Sequence, residues 1–298
     1  MHSDTARAVR PPHDTDQDEK TPKATGPAPT WDPQQYLRHA GHRARPFLDL
    51  LARIPALPAE PGRPARIADL GCGPGNVTAL LTDRWPDARI TGFDLSPEML
   101  QRATEEYAGP TAGGGSLDFA HADLADWVPE ETYDLIVSNA ALQWVPNHPG
   151  SFAAWINGLR PGGTFAFQIP GNFTAPSHAL LHALCDAPRW RSRLGGHGAR
   201  YTHLLEPAEY MDRFTGLGCA VDVWETTYYQ LLTGTDPVLD WVKGTALRPV
   251  LTALGDDRVA VDAFLGEYRD LLRGAYPPGP RGTVFPFRRI FAIARKEA

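Results

Sequence analysis

Short apolar runs alternate with amphipathic segments between residues 65 and 170, which predicts strands and helices in turn. The predicted strands are ARIADLG, ARITGFDLS, SLDFAHAD, YDLIVSNAAL and GGTFAFQIP. The predicted helices are NVTALLTDRW, PEMLQRATEEY and PGSFAAWINGL. Ser96 is placed to cap the second helix, and Pro97 lies in its first turn. Strands that alternate with helical segments of about a dozen residues are typical of a parallel, doubly wound sheet.

The pattern changes after Pro170. Residues 171–216 are predicted as loop and helix, CAVDVWETTYYQLL as a long alternating strand, residues 236–274 as helical and FRRIFAIAR as a final strand. We expect the two late strands to join the same sheet as neighbours. The predicted fold is therefore α/β, a Rossmann-like doubly wound sheet of seven strands. A helical cap over one end would come from segments at about 171–216 and 234–283.

The first 30 residues are rich in Pro, Asp and Thr and contain no continuous apolar stretch. They are predicted to be a disordered tail without a signal peptide, and residues 31–298 to form the domain. Between Asp32 and Ile54 the apolar positions predict two short helices interrupted at Pro46.

Composition narrows the classes of partner. The chain has 298 residues and a formal net charge of −6, which argues against a nucleic acid or an anionic membrane as the main partner. Cys72, Cys185 and Cys219 form no CxxC pair, so neither a zinc site nor a disulfide framework is expected. We therefore expect a cytoplasmic protein with a small-molecule ligand.

The stretch IADLGCGPGN places three glycines, Gly71, Gly73 and Gly75, between a strand and a helix. Ligands of open α/β sheets bind at such carboxyl ends of strands. The spacing is G-x-G-x-G, whereas a dinucleotide fold favours G-x-G-x-x-G. Asp69 would repel a pyrophosphate but attract an ammonium group, which favours a ligand bearing an amino acid.

Two further acidic residues end strands. Asp94 is placed to accept hydrogen bonds from ribose hydroxyls, and Asp123 to meet an adenine amino group. The set DLGCGPGN, FD, AD and SNAALQW resembles the class I S-adenosylmethionine-dependent methyltransferases over about residues 67–170. The resemblance implies that the glycines let the backbone lie against the methionine and ribose of that cofactor. The expected cofactor contacts are Asp69, Gly71, Gly73, Gly75, Asp94, Leu95, Asp123, Leu124 and Asn139.

The sequence contains no convincing general base, and a carboxylate acceptor, which is already ionised, needs none. His178 and His182 are spaced to share a helix face, but no third metal ligand accompanies them, and no metal is expected. His148 lies closer to the expected site, with ordering of its turn as the alternative role.

Arginines and aromatic residues are the candidates for acceptor binding, because a guanidinium pairs with carboxylates. Arg288 and Arg289 are adjacent on a strand, so alternation predicts that one faces solvent. Trp224 could line the pocket, although a core position is favoured. The other candidates are Tyr36, Trp144, Trp241 and Arg248.

Over a longer range, from Trp31 to Lys296, the chain resembles the trans-aconitate methyltransferases. The segments WDPQQYLRHAGHRARPFLDLLARI, DLGCGPGN, SNAALQWVPNHP, QIPGNF, DVWETTYY, WVKGTALRP and FPFRRIFAIAR carry the resemblance. It implies methyl transfer from S-adenosylmethionine to one carboxylate of trans-aconitate, giving a monomethyl ester and S-adenosylhomocysteine. The candidate substrate contacts are Tyr36, Gln143, Trp144, Asn172, Trp241, Arg248 and Arg289.

Alternatives remain at this point. The long tail and the segment GGHGARYTHLL depart from the family pattern, so the acceptor could be another small carboxylic acid or an acyl thioester. A nicotinamide-dependent oxidoreductase would use the same sheet, but its glycine spacing and a Tyr-x-x-x-Lys pair are missing. A regulatory module that binds the nucleotide without chemistry is the third possibility, against which the enclosed cap argues.

Overall fold

The computed structural model describes residues 40–58, 60–195 and 204–297. The predicted tail at residues 1–30 and the candidate Tyr36 lie outside the described residues. So does most of the segment GGHGARYTHLL. Within the described residues, no helix has both the length and the apolar composition needed to cross a membrane.

In the described ranges, eight strands form one sheet in the order β3-β4-β2-β1-β5-β6-β8-β7. The strands are β1 Arg66–Leu70, β2 Arg89–Asp94, β3 Gly109–Pro110, β4 Ser116–His121, β5 Tyr133–Asn139, β6 Leu159–Pro170, β7 Cys219–Leu232 and β8 Thr283–Lys296. Seven of these were predicted, and the eighth is the two-residue edge strand β3. The doubly wound α/β prediction is therefore confirmed.

Helices cover the sheet and one of its ends. They are α1 Ala40–Arg53, α2 Leu80–Arg84, α3 Pro97–Tyr107, α4 His148–Asn157, α5 Pro176–Cys185, α6 Arg191–Leu194, α7 Pro207–Gly216, α8 Pro237–Lys243, α9 Arg248–Leu254 and α10 Arg258–Ala275, with a 3-10 turn at Leu142–Trp144. The Ser96 hydroxyl accepts a hydrogen bond from the Met99 amide at the start of α3, which confirms the predicted cap.

Parallel pairing places β1 at the centre, between β2 and β5. The chain winds from β1 towards β4 in one direction and returns through β5 to β6 in the other. The carboxyl ends of β1 and β5 therefore meet at the switch point where ligands of such sheets bind. Strand β8 pairs antiparallel with both β6 and β7, which confirms that the late strands are neighbours.

The predicted helix boundary at Pro46 is wrong. A single helix, α1, runs through this proline. An interior proline costs about 3 kcal/mol because a hydrogen bond is lost and its ring crowds the preceding turn. Here the following turn buries Phe47, Leu50 and Leu51 against the sheet, which offsets that cost.

The cap helices have a core of their own, separate from the core under the sheet. Trp190, Trp241, Leu247 and Phe264 are buried together with Phe285 of β8. Helix α7 behaves differently, although it belongs to the first predicted cap segment. It packs Phe214 against Phe152 and Phe165 on a face of the sheet. The separate cap core is therefore built from α5, α6 and α8–α10.

Gly266 offers a test of helix α10. It lies in the helix interior, and an added Cβ would meet no atom within 4 Å. Gly266→Ala is expected to raise the free energy of unfolding by about 0.5–1 kcal/mol, since alanine loses less backbone entropy. Urea unfolding measures it. The control is Gly255→Ala at φ +60, which should lower stability. A less stable Gly266→Ala protein would contradict this account of α10.

Candidate active site

The glycine loop follows β1, and its three glycines have positive φ values of +79, +56 and +79. An added Cβ at Gly71 would lie 2.2 Å from Ala141 Cβ, and one at Gly75 would lie 2.9 Å from Ala103 Cβ. Gly73 differs, because its added Cβ would meet nothing within 4 Å. Packing within the protein therefore accounts for two of the glycines, while Gly73 faces open space beside a cavity.

Asp94 holds this loop against the end of β2. Its carboxylate accepts hydrogen bonds from the Gly73 amide at 2.8 Å and the Ser96 amide at 2.9 Å. The Phe93 carbonyl also accepts from the amides of Gly71 and Cys72, at 2.7 and 3.0 Å. Burial raises the pKa of Asp94, while the amide hydrogen bonds oppose that shift. The loop is thus tied to β2 through both backbone and side chain.

Asp69 lies behind the loop and does not line the cavity. Its Oδ2 accepts a hydrogen bond from the Thr78 hydroxyl at 2.7 Å, and its buried Oδ1 has no hydrogen-bond partner among the described residues. Burial raises the pKa of Asp69 to about 7, and the nearby charge of Asp94 adds to the shift. The predicted contact of this carboxylate with an ammonium group stays a prediction.

A cavity of about 530 Å³ lies between the glycine loop and the cap. It brings together most of the candidates that the sequence predicted for both ligands. Those that line it are Gly71, Gly73, Asp94, Leu95, Asp123, Leu124, Asn139, Gln143, Trp144, Trp241 and Arg289. Of the expected cofactor and substrate contacts that the structure describes, four are absent from its lining: Asp69, Gly75, Asn172 and Arg248.

Among the described residues, Arg289 is the only arginine or lysine that lines the cavity, and it is 5% exposed. Its guanidinium carbon lies 4.5 Å from the centre of the Phe287 ring. The neighbouring Arg288 projects from the other face of β8 and pairs with Glu206 and Glu225. The prediction that one of the two arginines faces outward is therefore confirmed.

Several aromatic and polar candidates have structural contacts away from the cavity. The Asn172 side-chain oxygen accepts a hydrogen bond from the Arg288 amide at 2.6 Å, and its buried Nδ2 has no partner within the part of the chain that the structure describes. Trp224 stacks on Phe291 with ring centroids 4.7 Å apart, and it is partly buried against the core, away from the cavity lining. Arg248 begins helix α9. Substrate roles for Asn172 and Arg248 stay predictions.

The histidines have separate environments. His148 Nε2 lies 2.8 Å from the Tyr210 hydroxyl in the core, so this histidine orders its turn. His178 lines the cavity, and burial lowers its pKa to about 4. Within the described ranges, no group of three His, Cys, Asp or Glu side chains could hold a metal ion.

Sequence reasoning missed some of the wall. Phe173, His178, Thr245 and Phe287 line the cavity on the cap side. Phe173 and Phe287 lie in segments that were quoted for the resemblance, so their positions beside QIPGN and FRRIF were available signals. Thr245 lies in WVKGTALRP and had the same signal, in the turn between α8 and α9.

A glycine loop at the switch point, an acidic residue at the end of β2 and a cavity beneath the cap are the features expected of a methyltransferase of the doubly wound α/β class. A family model described as "Methyltransferase domain" matches residues 67–163. The solved structure of a Haemonchus contortus phosphoethanolamine N-methyltransferase, in complex with S-adenosyl-L-methionine, shares this fold. Its TM-score is 0.51 at 16% identity, over 89% of this chain and 56% of that one.

Curated proteins that cover most of the chain define the family more narrowly. A trans-aconitate 2-methyltransferase of Streptomyces coelicolor is 64% identical over 90% of this chain and 88% of its own length. One of Streptomyces avermitilis is 63% identical over 91% of this chain and 98% of its own length. The chain belongs to the trans-aconitate 2-methyltransferase family.

Proposed function

We propose that this protein transfers a methyl group from S-adenosylmethionine to one carboxylate of trans-aconitate. The products are the monomethyl ester and S-adenosylhomocysteine. The observation that supports this proposal most directly is that one cavity has the glycine loop and Asp94 at one end and the buried Arg289 at the other. The names of the relatives support trans-aconitate as the acceptor.

The residues at the loop end fit the donor. Gly73 offers open space beside its backbone for the amino-acid part. The Asp94 carboxylate suits ribose hydroxyls, and Asp123 with Leu124 suits the adenine. When bound, S-adenosylmethionine supplies a methyl group already activated on a sulfonium. We infer no metal requirement for the transfer.

The protein's own contribution is to bind, align and exclude water. A carboxylate acceptor is ionised at neutral pH, so no side chain needs to remove a proton. Arg289 is placed to hold an acceptor carboxylate with charge-assisted hydrogen bonds. Trp241, Val242 and Phe287 form an apolar wall that keeps water from the transferring group. Alignment of the two ligands then supplies the rate enhancement.

The partner that we propose is a small polycarboxylate substrate. The lack of a nucleic-acid or membrane partner and the cytoplasmic location remain predictions. No observation in the cavity favours an acyl thioester over a free acid.

The direct test incubates the full chain with S-adenosylmethionine and a panel of trans-aconitate, cis-aconitate, citrate and isocitrate, with mass detection of esters. The expected product is the monomethyl ester of trans-aconitate. Absence of any ester would overturn the proposed function. A clear preference for another acid in the panel would keep the reaction type and replace the acceptor.

Asp94→Asn tests the donor end. The amide retains one acceptor oxygen and loses the charge, so it cannot hold both the Gly73 and Ser96 amides as the carboxylate does. We expect the affinity for S-adenosylhomocysteine to fall by about 10- to 100-fold, measured by calorimetry. Asp118→Asn, at an exposed position of the adjacent β4, is the matched control and should leave the affinity unchanged. Equal affinities of all three proteins would contradict the role of Asp94.

A further inference from the structure

Three buried polar side chains form a row across the sheet beneath the cavity. Asn139 ends β5, Gln168 lies near the end of β6, and Arg289 lies on β8. They are 8%, 0% and 5% exposed, respectively. Asn139 and Gln168 are register partners, and Arg289 is the register partner of Pro170, two residues beyond Gln168. Asn139 and Arg289 line the cavity, whereas Gln168 is fully covered.

Hydrogen bonds join the row from end to end. Arg289 Nη1 donates to Gln168 Oε1 at 3.2 Å. Gln168 Nε2 in turn donates to Asn139 Oδ1. Gln168 thus uses both ends of its amide, and it contacts one residue at each side of the cavity.

The guanidinium fixes the direction of this row. Arginine only donates hydrogen bonds, so the Gln168 carbonyl must face Arg289 and its NH2 group must face Asn139. Asn139 therefore turns its own carbonyl towards Gln168. The Asn139 side chain lines the cavity, and its Nδ2, which only donates, lies on the side away from Gln168.

We propose that Gln168 is a positioning residue that makes Asn139 present a hydrogen-bond donor to the methyl acceptor, so that the site selects an anionic oxygen over an amine. This assigns to the methyl acceptor a residue that the resemblance implies as a cofactor contact. This inference rests on the proposed function, because it assigns a cause for the choice of a carboxylate. A carboxylate oxygen can accept a hydrogen bond from Asn139 Nδ2. An amine that receives the methyl group instead has N–H groups, which would face the N–H groups of Asn139. Gln168 also holds Arg289 in place without neutralising its charge.

Gln168→Glu reverses the row while keeping its shape. The new carboxylate accepts from Arg289, but it has no hydrogen to donate to Asn139, whose amide then turns its Nδ2 inward. The cavity would gain the Asn139 carbonyl and lose the net charge of Arg289. We expect the KM for trans-aconitate to rise by about 100-fold or more, whereas the Kd of S-adenosylhomocysteine stays within about threefold.

Two further variants complete the experiment. Gln168→Met removes both hydrogen bonds at similar volume and leaves the Arg289 charge, so the expected rise in KM is smaller, about tenfold. If Gln168→Glu fails to fold, the KM of Gln168→Met tests the inference by itself. Gln230→Glu is the matched control, because Gln230 is another buried glutamine, 6% exposed, on β7 and outside the cavity lining. Its KM should equal that of the wild type.

The outcomes separate the two proposals. If the wild type esterifies trans-aconitate and neither Gln168 variant changes KM by more than about threefold, this inference is overturned and the proposed function stands. The inference is also overturned if Gln230→Glu raises KM as much as Gln168→Glu. A wild type that esterifies no acid overturns the proposed function, and this inference with it.

Discussion

Arg289→Met is expected to raise the KM for trans-aconitate by about 10²- to 10³-fold and to leave the Kd of S-adenosylhomocysteine within about threefold. The guanidinium is buried in the cavity wall, where a charge-assisted hydrogen bond to a carboxylate is stronger than at the surface. Methionine keeps much of the volume but removes the charge and the donors. Steady-state kinetics with varied acceptor, together with calorimetry of the donor product, measures both effects.

The adjacent arginine provides the matched control. Arg288 differs from Arg289 mainly in the face of β8 from which it projects, and its partners are Glu206 and Glu225. Arg288→Met should leave KM unchanged and lower stability by no more than about 1 kcal/mol, as expected for surface ion pairs. Equal effects of the two substitutions on KM would refute the assignment of Arg289 to the acceptor.

Gly71→Ala is expected to lower the free energy of unfolding by about 2–4 kcal/mol, since it combines overpacking with a left-handed backbone. Its Cβ would lie 2.2 Å from Ala141 Cβ, and its φ is +79. Relief of the clash must move the loop or the segment after β5, both of which line the cavity. Donor affinity should therefore fall as well. Urea unfolding and calorimetry report the two effects.

Gly62→Ala separates strain from overlap. Gly62 has a similar φ of +76, but an added Cβ there would meet nothing within 4 Å. This variant should lose only about 1–2 kcal/mol of stability and keep its donor affinity. If it is as damaging as Gly71→Ala, backbone strain alone explains the loop and the packing argument fails.

The sheet could be predicted because its signals are local. Each parallel strand is a short apolar run between turn residues, and the acidic candidates lie at or near the carboxyl ends of these runs. Gly71, Asp94 and Asn139 end strands that the topology brings to one edge, so their proximity follows from strand order. Alternation along β8 predicted that Arg288 and Arg289 lie on opposite faces of the strand. Only the pairing of β8 with β6 decides which of them faces the cavity.

The features that were missed depend on contacts between distant segments. The helix through Pro46 persists because of burial against the sheet, which no local rule contains. Gln168 opens the segment QIPGNF and is a polar residue in an apolar strand, but its contacts with Asn139 and Arg289, 29 and 121 positions away, could not be predicted from either. Arg248 was chosen for its chemistry and its place in WVKGTALRP; it begins α9 outside the described cavity lining, and its substrate role stays a prediction.

A crystal structure of the full chain with S-adenosylhomocysteine and trans-aconitate tests the central claim most directly. The account predicts one acceptor carboxylate at about 2.7–2.9 Å from the Arg289 guanidinium and another with an oxygen facing the donor sulfur. Trans-aconitate bound with no carboxylate near Arg289, or with no oxygen directed at the sulfur, would contradict it.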